Sequence, residues 1–293
     1  MIDVAAEVAE ALAERRPVVA LETTLVAHGF PAGDGLEVGL EAERRVRERG
    51  AIPATVGVVD GAIRVGLSPG QLERFAEAGD DARKAGPRDL ASSVALGHLA
   101  ATTVGGTLAV CASSGIRFMG TGGIGGVHRG FAGRPDISAD LGELARTAVL
   151  VASSGIKSLL DVDATLEVLE TLGVPVLGWQ TDTLPLFYSA PGGPPVPQRV
   201  ESASEAAAVA RAHWELGRAG LLLAQPPAES LEVEPLLRSA LAAADDAGVT
   251  GQAVTPFVLA HLHRASDGAT VRVNKRLIAD NAGLAAEVAV AAG

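Results

Sequence analysis

The sequence predicts an α/β protein: a single domain over residues 1–293, with a central, mostly parallel or mixed β-sheet flanked by helices as an α/β/α sandwich. Three observations carry this. Short apolar runs alternate with amphipathic stretches at helical spacing along the chain. Hydrophobic residues make up 48% and charged residues 20% of the 293, a composition that buries a core and does not stay disordered. No repeat, low-complexity tract or long charge run interrupts the alternation.

The elements follow in order. Val18 to Leu21, after Pro17, is a short buried strand. Leu36 to Arg49 reads as a helix with its Arg/Glu face wet. Ala54 to Asp60 and Gly61 to Gly66 form a hairpin, because Asp60-Gly61 is a turn pair between two β-rich runs. Pro69 to Ala78 is a short helix. Thr107 to Ala112 and Ile116 to Met119, apolar and flanked by glycine, make the third strand group. Ala148 to Ala152 is another strand, and Ser158 to Leu172 a helix stopped by Gly173. Val174 to Leu177 and Leu221 to Ala224 read as strands. Helices are expected at Ser202 to Gly217, Ser230 to Ala247, Pro256 to Arg264 and Leu277 to Ala291. The Pro- and Gly-rich Ala190 to Gln198 reads as a surface loop and candidate lid.

Charge and composition narrow the function. Lys plus Arg is 24 and Asp plus Glu 35, a net charge of −11. That excess of carboxylates argues against broad binding to nucleic acid or an anionic membrane. Met1 to Arg16 carries no basic region ahead of an apolar stretch, and no run approaches the ~18 apolar residues of a membrane span. A cytoplasmic location is the expectation. The single cysteine, Cys111, allows no internal disulfide and reads as a buried core thiol.

Lysine is scarce: Lys84, Lys157 and Lys275 are the only three, against 21 arginines. Arginine serves wherever charge alone is wanted, whereas only lysine can present a free amine. Lys275, beside Arg276, reads as a chance survivor.

In open α/β sheets ligands bind beyond the carboxyl ends of the strands. There the sequence places Glu22-Thr-Thr, the glycine-rich Gly120 to His128, Ser153-Ser-Gly-Ile-Lys157 and Gln225-Pro-Pro. Gly120, Gly122 and Gly125 match G-x-G-x-x-G, but Gly126, Gly130, Gly133 and Pro135 follow where a dinucleotide site needs a helix. The loop offers either backbone N–H groups for a phosphate or carbonyl, or plain turn chemistry. Asp136 and Asp140, four apart, suit a helix N-terminus or a hard cation such as Mg or Mn held by one carboxylate plus waters. Lys157, between a buried strand and the helix from Ser158, is placed for a lowered pKa and imine formation. Lys84, in a basic, turn-rich segment, suits a phosphate or a solvated loop.

These residues resemble the pseudouridine-5′-phosphate glycosidase family, also described as indigoidine synthase A-like, over nearly the whole chain. The matching strings are Ala20-Leu-Glu-Thr-Thr-Leu-Val-Ala-His-Gly29, Pro53-Ala-Thr-Val-Gly-Val-Val-Asp-Gly61, Lys84 with Arg88-Asp-Leu90, Thr121 to Gly130, Asp136-Ile-Ser-Ala-Asp-Leu141, Gly155-Ile-Lys-Ser158 and Val254-Thr-Pro-Phe257. The stretch from Thr121 to Asp140 is the most specific. The resemblance implies Glu22 as the general acid that protonates the departing base. It implies Lys157 as the nucleophile, forming an imine with C1′ of the ring-opened ribose. Lys84 would hold the sugar phosphate, and Val104 would contact substrate. Asp136 would bind Mn²⁺ through waters, with Ser138, Ala139 and Asp140 as the adjoining substrate segment and His128 touching phosphate or sugar. The implied substrate is a phosphorylated C-nucleoside, with no nucleic-acid or membrane partner, and the implied assembly a homotrimer.

Three positions depart from the family pattern. Asp280-Asn281 stands where an Asn-Asn pair is usual, with Asp280 expected near the uracil at the start of the last helix. Gln225 replaces an Asn and Gln252 a Lys. An ionised Asp accepts hydrogen bonds but cannot donate them. The aglycone is therefore either uracil or a different C-ribosyl acceptor of secondary metabolism. A catalytically silent phosphosugar-binding protein is the reading from another class.

Overall fold

The computed structural model describes every residue except Ala32, Ala132 and Arg134, together with the side chain of Gln252. In chain order its elements are β1 (Ile2–Val4), α1 (Ala6–Ala13), β2 (Val18–Glu22), α2 (Thr24–His28), α3 (Asp34–Glu48), β3 (Ile52–Val59), β4 (Ala62–Val65), α4 (Pro69–Ala78), β5 (Arg83–Ala85), α5 (Leu90–Ala95), β6 (Ala100–Thr102), α6 (Val104–Ser114) and β7 (Phe118–Gly120). There follow β8 (Val127–His128), α7 (Ala139–Leu144), β9 (Leu150–Ser153), β10 (Leu160–Asp161), α8 (Val162–Thr171), β11 (Val176–Trp179), β12 (Gln198–Val200), α9 (Ala203–Glu215), β13 (Leu221–Ala224), α10 (Glu234–Asp246), α11 (Val254–Ala265) and α12 (Ala269–Ala292).

The main sheet runs β1-β4-β3-β2-β7-β9-β13-β11-β12, with β6 on β3 and β5 on β6. It is mostly parallel; β4 and β6 run antiparallel to β3. The small antiparallel pair β8–β10 stands apart. All five residues of β2 are buried, as a central parallel strand covered on both faces requires. The β3–β4 hairpin turns through Asp60 (φ 51°) and Gly61 (φ 72°), the two positive φ values that a tight hairpin turn demands. Helix α4 starts on a capping box, Ser68 with Gln71, and Pro69 in its first turn.

Helix α12 packs on β2, β7 and β9, with α3 and α9 alongside. The contact is close because β7 ends in glycine: a Cβ on Gly120 would sit 2.7 Å from Ala282 Cα. One buried cluster spans both halves of the sheet, including Val19, Met119, Leu150, Leu222 and Leu284. Truncating one of its leucines to alanine costs about 2–5 kcal/mol.

The sheet and its flanking helices agree with the predicted class. Several boundaries do not. Thr107 to Ala112 lies inside α6 and is not a strand; a short apolar run cannot be told from a buried helix segment by periodicity. Cys111 is buried there, and burial pushes its thiol up to about 12. The helix expected from Ser158 begins at Val162, capped by Asp161, because Ser158 to Asp161 forms a turn and β10 instead. The last helix starts at Ala269, eight residues before Leu277. Among the described residues no helix is long and apolar enough to cross a membrane.

Candidate active site

Glu22, Lys84, His128, Asp136, Ser138, Ala139, Asp140 and Lys157 line one cavity of about 590 Å³. Residues far apart in the chain meet there because β2, β7 and β9 run parallel and side by side, so their carboxyl ends open together.

Glu22 is the last residue of β2 and is 3% exposed. One carboxyl oxygen accepts from the Thr121 hydroxyl and the other from Thr24. Burial raises its pKa; the Lys157 ammonium and the two hydroxyls oppose that rise, and Asp140 adds to it. The result is a carboxyl biased toward its protonated form beside a lysine.

Lys157 follows β9 on a turn made possible by Gly155 (φ 76°), where a Cβ would strike the Pro185 carbonyl. The Lys157 N–H donates to Ile124 O at 3.2 Å, and Lys157 O accepts from Leu160 N–H at 3.0 Å. With α8 starting only at Val162, the helix N-terminus expected beside Lys157 is not there. Its charged neighbours are Glu22 and Lys84. Lys84 sits on β5, registered against Ala101 of β6. Burial, then the Lys157 charge, lowers its pKa, while Asp140, Glu22 and Asp136 pull it back.

Asp140 organises the backbone around the cavity. One oxygen accepts from Gly105 N–H and the other from Gly125 N–H, both at 2.8 Å. It thereby joins the head of α6 to the glycine-rich loop. Gly125 is required there, since a Cβ would collide with Ser138 Oγ and lie 2.8 Å from the Asp140 carboxylate. Ser138 caps α7 by accepting from the Asp140 N–H, so the capping reading holds for Ser138 while Asp136 remains in the loop before the helix.

The glycine-rich loop is not a free row of donors. N–H groups of Thr121, Ile124, Gly125, Val127 and His128 go to Ala152 O, Gly155 O, Asp140, Thr165 Oγ1 and Asp136 O. A strand, β8, follows it where a dinucleotide site would open a helix.

His128 Nε2 stands 3.9 Å from Asp136 Oδ2. Burial lowers the His128 pKa; Asp136 opposes this, and Lys84 and Lys157 reinforce it. No group of three His, Cys, Asp or Glu side chains poised for a metal occurs among the described residues. Asp136, partly exposed to the cavity, is one hard oxygen donor, which fits a cation that keeps most of its water shell.

Two predicted residues lie elsewhere. Val104 is fully buried in the first turn of α6, and its neighbour Thr103 lines the cavity. Asp280 is not brought into the cavity. It lies well inside α12, not at a helix start, and pairs with Arg45 of α3 at 2.7 Å and Arg276 at 3.5 Å. It faces a second cavity, of about 1060 Å³, which shares His28, Gly29, Pro256 and Leu259 with the first. Its neighbour Asn281 points to the sheet instead, its Nδ2 donating to Thr121 O at 2.8 Å and to Gly122 O and Ser154 Oγ at 3.2 Å. Gln225 follows β13, its N–H donating to Ser153 O at 2.8 Å. The Gln252 side chain lies outside the described residues.

Sequence reasoning gave no individual role to Thr24, Thr121, His28 and Arg88, which lay within its motifs, and missed Arg146; these residues also touch Glu22 or line the cavity. Thr24 and His28 are four apart on α2, one turn of a helix; that spacing after Glu22 was the available signal.

A family model for indigoidine synthase A-like proteins matches residues 7–291. The chain belongs to the indigoidine synthase A-like family. It is 46% identical to a pseudouridine-5′-phosphate glycosidase from Herpetosiphon aurantiacus, over 98% of this chain and 96% of that one. Among solved structures it resembles the prealnumycin C-glycosynthase AlnA in complex with ribulose 5-phosphate (40% identity, TM-score 0.90, 100% and 97% of the two chains). It also resembles an indigoidine synthase A-like protein from Thermotoga maritima (36% identity, TM-score 0.89, 99% and 96%).

Proposed function

We propose that this member of the indigoidine synthase A-like family is a C-glycosidase that reversibly converts pseudouridine 5′-phosphate and water to uracil and ribose 5-phosphate. The observation that carries the reading is the buried Glu22 carboxyl, biased toward protonation, beside Lys157 in one cavity with Lys84. The relatives' activity agrees with it.

The scissile bond joins C1′ of the ribose to a pyrimidine carbon, and a carbon leaving group departs poorly unless it is protonated. Paired carboxylates alone, the arrangement for O-glycosides, do not meet that need. The Lys157 amine bonds to C1′ as the C1′–O4′ bond opens, and O4′ takes up the proton the amine releases. The C1′–carbon bond then breaks as Glu22 delivers its proton to the base carbon, leaving an imine on Lys157. Water hydrolyses this protonated imine to ribose 5-phosphate, which frees the amine, and the surplus proton returns to Glu22. Thr24 and Thr121 aim the acid, while Lys84 and His128 hold the phosphate and sugar. Asp136 would hold Mn²⁺ with waters, which would add positive charge beside the phosphosugar. A homotrimer is the assembly we propose.

A second reading keeps this chemistry and changes the acceptor: ribose 5-phosphate joined to another aglycone. The similarity to the C-glycosynthase AlnA favours it. The test is borohydride reduction with ribose 5-phosphate, followed by peptide mapping, and turnover with uracil against other acceptors. An adduct on Lys157 is expected, and Lys157→Arg should be inactive, because a guanidinium stays protonated. An adduct on Lys84 overturns the assignment.

A further inference from the structure

We propose that Arg129 is a positioning residue that sets the place of Lys157, with Glu234 as its outer anchor. Arg129 follows His128 at the end of β8, which pairs antiparallel with β10 just beyond Lys157. Its side chain leaves the reaction cavity and lines a neighbouring one of about 780 Å³. There the guanidinium grips the Lys157 turn from outside, donating to Ser158 O at 2.9 Å and Leu160 O at 3.3 Å. Its far edge pairs with the Glu234 carboxylate, at 3.0 and 3.3 Å, at the first residue of α10.

The turn is also held by Lys157 N–H on Ile124 O, by Leu160 N–H on Lys157 O, by the Ser158 hydroxyl on Leu186 O at 2.9 Å and by the β8–β10 pairing. Those bonds fix one side of it. Arg129 supplies the other side, and all three of its guanidinium nitrogens are occupied. The planar guanidinium makes four contacts at once, to two carbonyls and both carboxylate oxygens; a lysine ammonium has only three donors and no fixed fork. The consequence is mechanistic. Glu22 and Lys84 stand on separate elements, β2 and β5, so loosening the turn moves the amine relative to the acid and to Lys84.

This rests on the reading of Lys157 as the nucleophile, so the first measurement is borohydride trapping of ribose 5-phosphate on the wild-type chain. Failure to label Lys157 there overturns that reading and, with it, this proposal. With wild-type labelling established, Arg129→Ala and Arg129→Lys are compared with wild type. The expected result is a kcat lower by about 10- to 100-fold in Arg129→Ala, a matching fall in the rate of trapping at Lys157, and KM changed by no more than about twofold. Arg129→Lys should recover only part of the loss. Millimolar guanidinium, for which the neighbouring cavity leaves room, should restore Arg129→Ala in part, which a general loss of stability would not allow. Glu234→Ala, with the backbone bonds to Arg129 kept, should give a smaller fall in kcat of the same kind. Unchanged trapping and kcat in folded Arg129→Ala overturn the proposal, as does an effect confined to KM, which would make Arg129 a substrate ligand.

Discussion

Replacing Glu22 by glutamine removes one proton and almost nothing else. The carboxyl is buried, and each oxygen accepts from a threonine hydroxyl. An amide keeps one acceptor oxygen and puts an NH2 group in place of the other, so one hydroxyl must turn to accept; the cost of that rearrangement is about 1 kcal/mol. Loss of a general acid costs about 10²–10⁴ in rate, or about 3–5 kcal/mol of barrier. The proton therefore decides the outcome. Uracil release from pseudouridine 5′-phosphate by Glu22→Gln should be slower by that factor, while borohydride still traps ribose 5-phosphate on Lys157. The pH dependence has a definite sign. Burial raises the Glu22 pKa, and only the protonated form donates, so wild-type kcat falls as pH rises through the raised value. That alkaline limb should vanish in the variant. Stability follows the same sense: above the ordinary carboxyl range the folded state holds a proton that the unfolded state has lost. The associated stabilisation is complete below the unfolded pKa and is lost as pH rises through the folded one. Glu22→Gln should escape that loss, narrowing the gap in Tm between mildly acidic and neutral buffer. Retention of wild-type kcat and an unchanged pH profile would refute the assignment of Glu22 as the acid.

Chelation should abolish turnover, Mn²⁺ should restore it, and Asp136→Ala should mimic chelation; full activity in chelator would leave Asp136 without a metal role. Light scattering should report a trimer, and a stable monomer would count against that assembly. Asp280→Asn should cost about 1 kcal/mol in stability, from the half-buried pairing with Arg45, and leave kcat/KM for pseudouridine 5′-phosphate nearly unchanged. A gain of about tenfold in kcat/KM would instead mean that Asp280 reads the base.

The class of the fold was legible because burial imposes a period. Central strands such as Val18–Glu22 are apolar throughout, and helices such as Asp34–Glu48 alternate wet and dry faces. The hairpin at Asp60-Gly61 was legible because few residue pairs tolerate its backbone. The two- and three-residue strands β5, β6, β8, β10 and β12 were not, since tertiary pairing and not local pattern makes them strands. Their loss mattered at the site. Lys84 reads as a loop lysine from sequence, yet β5 pairs with β6 and carries it into the cavity wall. The helix that begins late, after β10, removed the argument that a helix N-terminus tunes Lys157. Burial and a second lysine opposite a buried glutamate replace it as the electrostatic features of the site.

The pair Asp280-Asn281 shows how one missed helix start redirects a functional argument. A helix starting near Leu277 would put both residues close to its N-terminus, where side chains can reach back over a cavity. The helix that starts at Ala269 carries them across the sheet instead, and adjacent residues on a helix face about 100° apart. Asn281 consequently turns inward, where its amide ties the Thr121 and Gly122 carbonyls to Ser154 and so joins the strand ends that carry Glu22's partner and the Lys157 turn. Asp280 turns toward α3 and is held by Arg45. The chemical difference between Asp and Asn at position 280 is thus spent on a helix–helix ion pair. Within this chain, the asparagine that bears on the reaction cavity is the second of the two, and it is present. The departure at Asp280 therefore lies on the adjoining cavity and not in the reaction cavity, and the observation that favours a different aglycone is the likeness to the C-glycosynthase AlnA.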